Sequence, residues 1–374
     1  MVKAPTFLQN NHFKAFGLRK LNIDFPQLLN MANSSADYLE NIFTKGIVSE
    51  GSLDKGHAFW RAYIASRPSP PESFLQLIFN YHKENGDSRT AVAHDVGTGP
   101  GNIAQRLLPY FDYVVGSDMN EDALNMARVL IPPDDLKRMV FVGCSAEDLA
   151  GASFPKHAGP GETDLLVVSE CMPLLDASKA LRAFHTMVRP GGTLAIYFYG
   201  RPIFVGENAE TYNAMYSRIA DSALQCMHPL KGTPSFPAYF RSATTLHSWL
   251  DNIEIPRDLW ENVERRKWNN DHPLSFCGKA GYGFEFEPVD RTHPGETRND
   301  IIDPEFWSED MNANRLAVYL ASVFPGYRGY QGSDDRVTKV DEMLGQLQVM
   351  MGGSDSKARV TYPVTLILAT KRFI

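Results

Sequence analysis

The sequence has little of three features that would each point to a particular class of protein. It contains only four cysteines, and no two of them form a CxxC pair, which argues against a zinc site or a thioredoxin-type redox motif. No run of about 18 apolar residues is present to span a membrane, and the segment MVKAPTFLQNNHFKAFGLRK lacks the apolar core of a signal peptide. An excess of positive charge is also lacking, because 44 acidic residues outnumber 37 basic ones and the net charge is −7. We therefore expect a cytoplasmic protein without nucleic-acid or membrane partners and without a bound metal.

What the chain does have is the composition of a folded enzyme. Its 374 residues are 43% hydrophobic and 22% charged, which excludes a disordered or collagenous chain. Between residues 90 and 200, short apolar strands alternate with amphipathic helices, and the strands are mostly continuous runs rich in Val, Ile and Tyr. Such runs are typical of strands buried on both faces. The pattern predicts an α/β fold with a parallel, doubly wound sheet.

The sharpest local signal is the segment HDVGTGPGNIA at residues 94–104. Asp95 stands at the end of a predicted strand, a helix follows, and glycines between them allow a tight turn and a close approach of a ligand to the backbone. The turn contains Gly97, Gly99 and Gly101. Asn102 occupies the position where a dinucleotide-binding fingerprint has its last glycine. Taken alone, the segment fits either a cofactor loop or an ordinary strand–helix turn.

Polar residues follow the next two predicted strands at the edge where α/β sheets bind ligands. Asp118 ends the second strand and can accept both hydroxyl protons of a ribose, or cap the following helix, for which Asn120 is better placed. Met119 follows and can pack on an adenine face. The third strand leads into Ser145, Ala146, Glu147 and Asp148. This turn either reads the adenine edge or simply begins a helix with an N-cap.

Together these elements resemble class I S-adenosylmethionine-dependent methyltransferases. Asp95-x-Gly97-x-Gly99-x-Gly101 matches the first motif of that family, Asp118 the ribose-binding acid and Ala146-Glu147-Asp148 the adenine turn, and Arg189-Pro190-Gly191-Gly192 before a strand matches a later motif. The resemblance implies a Rossmann-like doubly wound seven-stranded sheet whose last strand, in VTYPVTLILATKR, is antiparallel. It also implies S-adenosyl-L-methionine as cofactor and S-adenosylhomocysteine as product.

An earlier segment narrows the resemblance. Tyr63-x-x-x-Arg67-Pro68-Ser69-x-Pro71 is similar to a segment of the trans-aconitate methyltransferase-like group, where it packs over the cofactor. The extension at residues 1–56 and the long insertion resemble those of fungal small-molecule methyltransferases. An aromatic ring beside a sulfonium is a cation–π contact worth about 0.5–2 kcal/mol. The chain departs from that group at Pro173-Leu174-Leu175 and at SVFPGYRGY, which favours an acceptor other than trans-aconitate.

The resemblance assigns the following set of residues to the cofactor: Tyr63, Arg67, Asp95, Gly97, Thr98, Gly99, Gly101, Asp118, Met119, Ser145, Ala146, Glu147, Ser169 and Glu170. It also divides the chain into four parts. Residues 1–88 are expected to form a helical extension that covers the cofactor, residues 89–200 the cofactor-binding core, and residues 201–310 a substrate-binding lid. Residues 311–374 are expected to supply C-terminal helices and the last strand.

Methyl transfer is an in-line displacement, so the enzyme mainly supplies proximity and orientation. A general base is needed only when a hydroxyl or an amine loses a proton. Our two candidate catalytic residues are Glu170 and His272. Glu170 is expected to bind the methionine amino group, to position the acceptor, or to be an ordinary solvated acid at a strand end.

Further side chains near the predicted site have both a structural and a functional interpretation. Cys171 is better explained by packing than by nucleophilic chemistry, and His94 by a satisfied position in the core. Two more histidines and three cations in or beside the lid are candidates for a base or for pairing with an anionic substrate, or else solvated surface groups: His228, His247, Arg201, Lys231 and Arg241.

The leading prediction is transfer of a methyl group to a small-molecule acceptor in fungal secondary metabolism, with a carboxylate or hydroxyl oxygen favoured over N or S. The main alternative is a protein of the same fold that binds the cofactor but catalyses a rearrangement or cyclisation of a natural product. Two more classes fit a glycine loop of this kind, a nicotinamide-dependent oxidoreductase and a cofactor-binding regulator without catalysis. The protein is expected to be a monomer or a homodimer.

Overall fold

The computed structural model describes residues 53–226, 232–324 and 335–373. Two helices precede the sheet, α1 (Leu53–Ser66) and α2 (Glu72–Asn85). Apolar residues recur at helical spacing in α2, and Phe74, Leu75 and Ile78 are buried. Of the helical extension expected over residues 1–88, residues 1–52 lie outside the described residues.

The alternation predicted for residues 90–200 is confirmed. Its strands and helices are β1 (Val92–Val96), α3 (Asn102–Leu107), β2 (Tyr113–Asp118), α4 (Glu121–Leu130), α5 (Pro133–Leu136), β3 (Met139–Gly143), β4 (Thr163–Ser169), α6 (Ala177–Met187) and β5 (Val188–Tyr199). The five strands are parallel and stand in the order β3-β2-β1-β4-β5, and all five residues of β1 are buried.

The rest of the described chain adds three strands to the main sheet and forms a second, smaller sheet. Its elements are β6 (Ile203–Phe204), α7 (Ala209–Gln225), α8 (Phe236–His247), β7 (Trp260–Trp268), β8 (Thr297–Ile301), β9 (Ser308–Asn312), α9 (Ala313–Val323), α10 (Asp335–Met350), β10 (Lys357–Thr361) and β11 (Val364–Lys371). A second, three-stranded sheet has the order β6-β10-β9. In the part of the chain described, no helix is long and apolar enough to cross a membrane.

The last strand inserts into the main sheet as expected. β11 pairs antiparallel with β5 on one side and with β7 on the other. Its side chains alternate between two cores: Leu366 and Leu368 join the cluster that contains α2, α3 and α4, while Ile367 and Ala369 join the cluster that contains α6. The sheet therefore has helices packed on both faces, which is the doubly wound arrangement. Beyond the seven strands implied by the resemblance, β8 adds an eighth that pairs parallel with β7.

One part of the range 201–310 differs from the expected lid. The strands β7 and β8 lie in the main sheet, so these segments extend the core. The sequence of β7, WENVERRKW, does not predict a strand of the main sheet, because its charged residues are typical of a surface segment. Arg265 is nevertheless 2% exposed, since its guanidinium pairs with Glu296 and donates to the carbonyls of Leu250 and Ile253. The lid role of the remaining residues in this range stays a prediction.

Candidate functional site

The carboxyl ends of β1, β2, β3, β4 and β5 meet at one edge of the sheet, and the glycine loop begins there. The N–H groups of Gly97 and Thr98 donate to the carbonyl of Ser117 at 2.8 and 3.0 Å, which ties the loop to β2. All three glycines have positive φ: +69° at Gly97, +54° at Gly99 and +82° at Gly101. L-residues other than glycine rarely adopt such angles, so the turn needs these residues.

The three glycines satisfy different requirements of space. A Cβ at Gly97 would lie 2.6 Å from Cys171 Sγ, and one at Gly101 would lie 2.8 Å from Ile131 Cδ1, so both are packed against the fold. A Cβ at Gly99 would meet no heavy atom within 4 Å. The loop therefore presents open space at Gly99 alone, which is where a ligand can approach its backbone.

Asp95, at the end of β1, stabilises the glycine loop. It is fully buried, and its Oδ2 accepts a hydrogen bond of 2.7 Å from Thr98 Oγ1. Burial raises the pKa of the Asp95 carboxyl to about 7, although the hydrogen bond from Thr98 acts in the opposite direction. Asp95 and Thr98 thus hold the turn in shape, whether or not they also contact a cofactor.

Asp118 lies beside the open position of the loop. Its Oδ2 accepts from the N–H of Gly99 at 2.8 Å and its Oδ1 accepts from the N–H of Asn120 at 2.9 Å. Asn120 caps α4, since its side chain accepts from the N–H groups of Asp122 and Ala123, as the sequence predicted. Each carboxylate oxygen of Asp118 keeps a further lone pair, so the group can accept two more donors, such as the two hydroxyls of a ribose.

Of the residues proposed to contact the adenine, Met119 is exposed, whereas Ser145 and Glu147 accept hydrogen bonds from other residues of the fold. Met119 is 47% exposed, so its side chain is available to pack on a flat ring. Ser145 caps a 3₁₀-helix (Ala146–Gly151) by accepting from the N–H of Asp148, and Glu147 Oε1 accepts from the N–H of Asp176 at 3.0 Å. Ser145 therefore acts as the N-cap of this helix. The adenine contacts of the turn stay a prediction.

Glu170 follows β4 directly and has an uncommon backbone, with φ of +63°. Its Oε1 accepts from the N–H of Tyr199 at 2.8 Å, while its Oε2 is buried and has no hydrogen-bond partner among the described residues. Burial raises the pKa of Glu170 well above its ordinary value, and the positive charge of Arg67 partly offsets this. The carboxyl thus presents one satisfied and one free oxygen. Ser169, the residue before it, pairs with Tyr197 in the ladder between β4 and β5.

Arg67 extends from the end of α1 toward the same place. Its guanidinium carbon lies 4.8 Å from the ring centre of Tyr63 and 5.5 Å from that of Tyr319, and Nη2 donates to the carbonyl of Ser322 at 3.1 Å. The structure thus brings together three residues that the resemblance selected: Tyr63, Arg67 and Glu170.

Two members of this cluster were missed by sequence reasoning. Tyr199 is the last residue of β5, and its position at the carboxyl end of a central strand was a usable signal. Tyr319 lies on α9, far along the chain, where nothing in its local pattern distinguished it from a core residue. Long-range folding alone places Tyr319 at the site.

None of the candidate histidines that the structure describes, His94, His247 and His272, has a hydrogen bond or ion pair with Glu170. His272 is 37% exposed, it faces Asp271 at 3.8 Å, and no hydrogen bond or ion pair joins it to the cluster within the described ranges. Its role as a base stays a prediction. His247 packs against the rings of Tyr282 and Phe286, and His94 Nε2 lies 2.9 Å from Ser117 Oγ, with a pKa lowered by burial to about 3. His94 is a core histidine, as we expected, but it is only half satisfied, because its buried Nδ1 has no hydrogen-bond partner among the described residues.

The remaining candidate residues that the structure describes, two cations and Cys171, are likewise not joined to Glu170 by a hydrogen bond or ion pair. Arg241 on α8 donates to the carbonyl of Leu174 at 2.9 Å, so it ties α8 to the turn after β4. Cys171 Sγ fills the space beside Gly97, which is the packing role expected. His228 and Lys231 lie outside the described residues, and Arg201 is half-buried just after the end of β5. Over residues 53–226, 232–324 and 335–373, no group of His, Cys, Asp and Glu is suited to a metal ion.

Comparison with known proteins agrees with this geometry. The family described as a methyltransferase domain matches residues 94–196, which span the glycine loop and β1 through most of β5. The methyltransferase ptaI of Pestalotiopsis fici is 51% identical over 324 residues, covering 86% of this chain and 95% of the relative. The methyltransferase pgmE of Aspergillus terreus is 35% identical over 324 residues, covering 84% and 93%. The methyltransferase cfoB of Aspergillus candidus is 32% identical over 317 residues, covering 84% and 94%.

These relatives are matched along nearly their whole length, and the sheet order and glycine loop are those that the resemblance predicted. The chain belongs to this family of fungal methyltransferases and is a class I S-adenosylmethionine-dependent enzyme.

Proposed function

We propose that this enzyme transfers the methyl group of S-adenosylmethionine to an oxygen, carboxylate or hydroxyl, of a small molecule in fungal secondary metabolism. One observation carries the cofactor part of the proposal. The backbone at Gly99 borders open space, and its N–H is bonded to the carboxylate of Asp118. A nucleoside fits there because the glycine admits its close approach and the acid accepts its hydroxyls.

The other cofactor contacts follow from position along the same edge. Met119 is suited to one face of the adenine, and the turn at residues 145–147 to its polar edge. Tyr63 is suited to the sulfonium, because the ring of an aromatic side chain attracts a cation. Arg67 carries a positive charge and is suited to the carboxyl group of the methionine part.

The bound cofactor supplies a methyl group on a positively charged sulfur, which is already activated for displacement. This chain then has two tasks, which are to align the acceptor oxygen with that methyl group and to accept a proton if the acceptor is a hydroxyl. The free Oε2 of Glu170 is the buried oxygen that is available for this proton. A raised pKa makes a carboxylate a stronger base, so burial suits Glu170 to the task.

The experiment is transfer of a radiolabelled methyl group from S-adenosylmethionine to a panel of hydroxybenzoic and hydroxynaphthoic acids, their amino and thiol analogues, and their methyl esters. Alkaline hydrolysis then separates the products, because a methyl ester releases labelled methanol and a methyl ether does not. We expect label on oxygen with wild-type enzyme and much less label with Asp118→Ala at the same concentration of S-adenosylmethionine. Label on nitrogen or sulfur alone contradicts the oxygen assignment. Tight binding of S-adenosylhomocysteine without transfer to any acceptor contradicts methylation itself and favours a rearrangement or cyclisation.

A further inference from the structure

The side chain of Arg67 is held by two helices that lie far apart in the sequence. Arg67 directly follows α1, and Tyr63, in the last turn of that helix, has its ring centre 4.8 Å from the guanidinium carbon. The other contacts come from α9, because the ring centre of Tyr319 lies 5.5 Å from the same carbon and Nη2 donates to the carbonyl of Ser322. The guanidinium therefore has one aromatic ring from each helix beside it.

The end of α9 is well suited to hold a cation. Ser322 is in the last turn of this helix, where carbonyls lack partners within the helix and carry the negative end of the helix dipole. Tyr319 is 1% exposed, so packing fixes its ring, and its hydroxyl donates to the carbonyl of Gly200 at 3.4 Å. Gly200 directly follows β5, one of the strands whose carboxyl ends meet at the site. Tyr319 thus connects Arg67 to the main sheet.

The guanidinium is nevertheless incompletely paired. Arg67 is half-buried, and its Nε is buried without a hydrogen-bond partner over residues 53–226, 232–324 and 335–373. In that part of the chain, no carboxylate forms an ion pair with Arg67. A buried N–H without an acceptor and a charge without a counter-ion both cost free energy, and an anionic ligand satisfies both at once.

We propose that Tyr319 is a positioning residue, whose ring holds the Arg67 guanidinium in the orientation that binds the carboxylate of the cofactor's methionine part. An arginine side chain has several rotatable bonds, so fixing it beforehand removes an entropic cost from the binding step. This inference rests on the proposed function, because it takes that carboxylate to lie at Arg67. The nucleoside end of the cofactor then contacts the glycine loop, and its amino-acid end depends on α1 and α9.

The test uses two ligands that differ only in the carboxylate. S-adenosylhomocysteine has this group, and decarboxylated S-adenosylhomocysteine carries a hydrogen in its place but keeps the adenosine, the sulfur and the amino group. Titration calorimetry gives the ratio of their Kd values, which we call the carboxylate preference. Hydrogen bonds to a charged group correspond to about 10- to 100-fold in affinity, so we expect a preference of this size in wild type and about threefold or less in Arg67→Gln.

Tyr319→Leu removes the ring and leaves Arg67 in place. A cation–π contact corresponds to about 2- to 30-fold in an equilibrium constant, so the carboxylate preference should fall by at least about threefold. Binding of S-adenosylhomocysteine should weaken, while the Kd of the decarboxylated ligand should change by less than about twofold. Tyr319→Phe keeps the ring and should retain the preference. In an Arg67→Gln background, Tyr319→Leu should not lower the preference further, because the two residues act as one unit.

The control for a purely structural effect is Tyr282→Leu. Tyr282 is also buried, but it packs against Phe284 and Phe286, and no hydrogen bond, ion pair or ring contact joins it to Arg67 among the described residues. This variant should lower the free energy of unfolding and leave the carboxylate preference unchanged. Tyr319→Met keeps much of the side-chain volume without an aromatic face, and it repeats the test if the leucine variant does not fold.

Several results would overturn the inference while S-adenosylhomocysteine still binds wild-type enzyme. These are an unchanged carboxylate preference in Tyr319→Leu and Tyr319→Met, an equal weakening of both ligands in these variants, the same loss of preference in Tyr282→Leu, or no preference in wild type. Failure of S-adenosylhomocysteine to bind wild-type enzyme would instead overturn the proposed function itself. The two failures are therefore distinguishable.

Discussion

The cofactor side and the acceptor side of this site are built in different ways. Around the glycine loop, the important atoms belong to the backbone, and the contacts join β1 to the neighbouring β2. Around Glu170, the important atoms come from α1, β5, α9 and the residue that follows β4, and they include side chains from segments far apart in the sequence. The bond from Arg67 to Ser322 spans 255 residues of sequence.

This difference has a physical consequence for how each side responds to change. We call the backbone at Gly99 together with the Asp118 carboxylate the cradle. It depends on the backbone dihedral angles of the glycine loop and on Asp118, so single substitutions there act on cofactor binding. A cluster of side chains from distant elements depends on packing, and the same fold can carry many variants of it. We therefore expect cofactor binding and acceptor chemistry to be separable by mutation.

The largest expected effect is on the acceptor side. Glu170→Gln keeps the size of the side chain and removes the base, so kcat for a hydroxyl acceptor should fall about 100- to 10,000-fold. The affinity for S-adenosylhomocysteine should change much less. The rate of wild-type enzyme should rise with pH through the raised pKa of Glu170, and the variant should lose this rise. Glu210→Gln, at an exposed position on α7, is the control, and unchanged turnover in Glu170→Gln would refute the role of base.

On the cofactor side, Asp118→Ala removes the acceptor for two ribose hydroxyls. Because hydrogen bonds to a charged group contribute about 1.5–3 kcal/mol each, we expect the loss of two of them to raise the Kd for S-adenosylhomocysteine by at least about 100-fold. Titration calorimetry measures this directly. Asp134→Ala, which removes an exposed acid paired with Lys137, should bind like wild type. Equal affinities in both variants would show that Asp118 is not the ribose contact.

Within the loop, two glycines should behave differently. Gly97→Ala combines an unfavourable φ with a Cβ against Cys171, so we expect it to destabilise the fold by about 2–4 kcal/mol. Gly99→Ala meets open space and should cost only about 1–2 kcal/mol for its φ. Its Cβ nevertheless enters the cradle, so cofactor affinity should fall. Denaturant unfolding with and without S-adenosylhomocysteine checks both statements, and a Gly99→Ala enzyme with normal affinity would exclude the cradle.

The most gradual expected effect concerns Asp95, because it develops over several pH units. Its folded pKa of about 7 lies above the ordinary value of 3.8, so its contribution to stability is fully present below about pH 3.8 and is lost as the pH rises to about 7. Asp95→Asn stays neutral throughout. The stability of wild type relative to this variant should therefore fall across that window, by at most about 1.4 kcal/mol per pH unit. A constant difference between the two unfolding curves from pH 4 to 7 would contradict the raised pKa.

The features that could be predicted from the sequence are those determined by residues close together in the chain. The glycine loop, the cap at Asn120 and the antiparallel last strand depend on short patterns, because turn angles and capping are determined by neighbouring residues. The resemblance added Tyr63 and Arg67, which the structure places against each other.

Other parts were beyond reach because they depend on contacts between distant segments. The strand β7 carries charged residues that resemble a surface, and its burial becomes possible only once Glu296 pairs with Arg265. Tyr319 looks like any apolar position of α9 until that helix packs near α1 and Arg67. A local pattern cannot predict either contact.

The central claim is that the cradle at Gly99 and Asp118 binds S-adenosylmethionine. The most direct measurement is thermal unfolding with S-adenosylmethionine, S-adenosylhomocysteine and NAD added separately. A ligand at about 100 times its Kd adds roughly 2.7 kcal/mol of stability. We predict this stabilisation from the first two ligands and none from NAD. Stabilisation by NAD alone, or by none of the three, would contradict the claim.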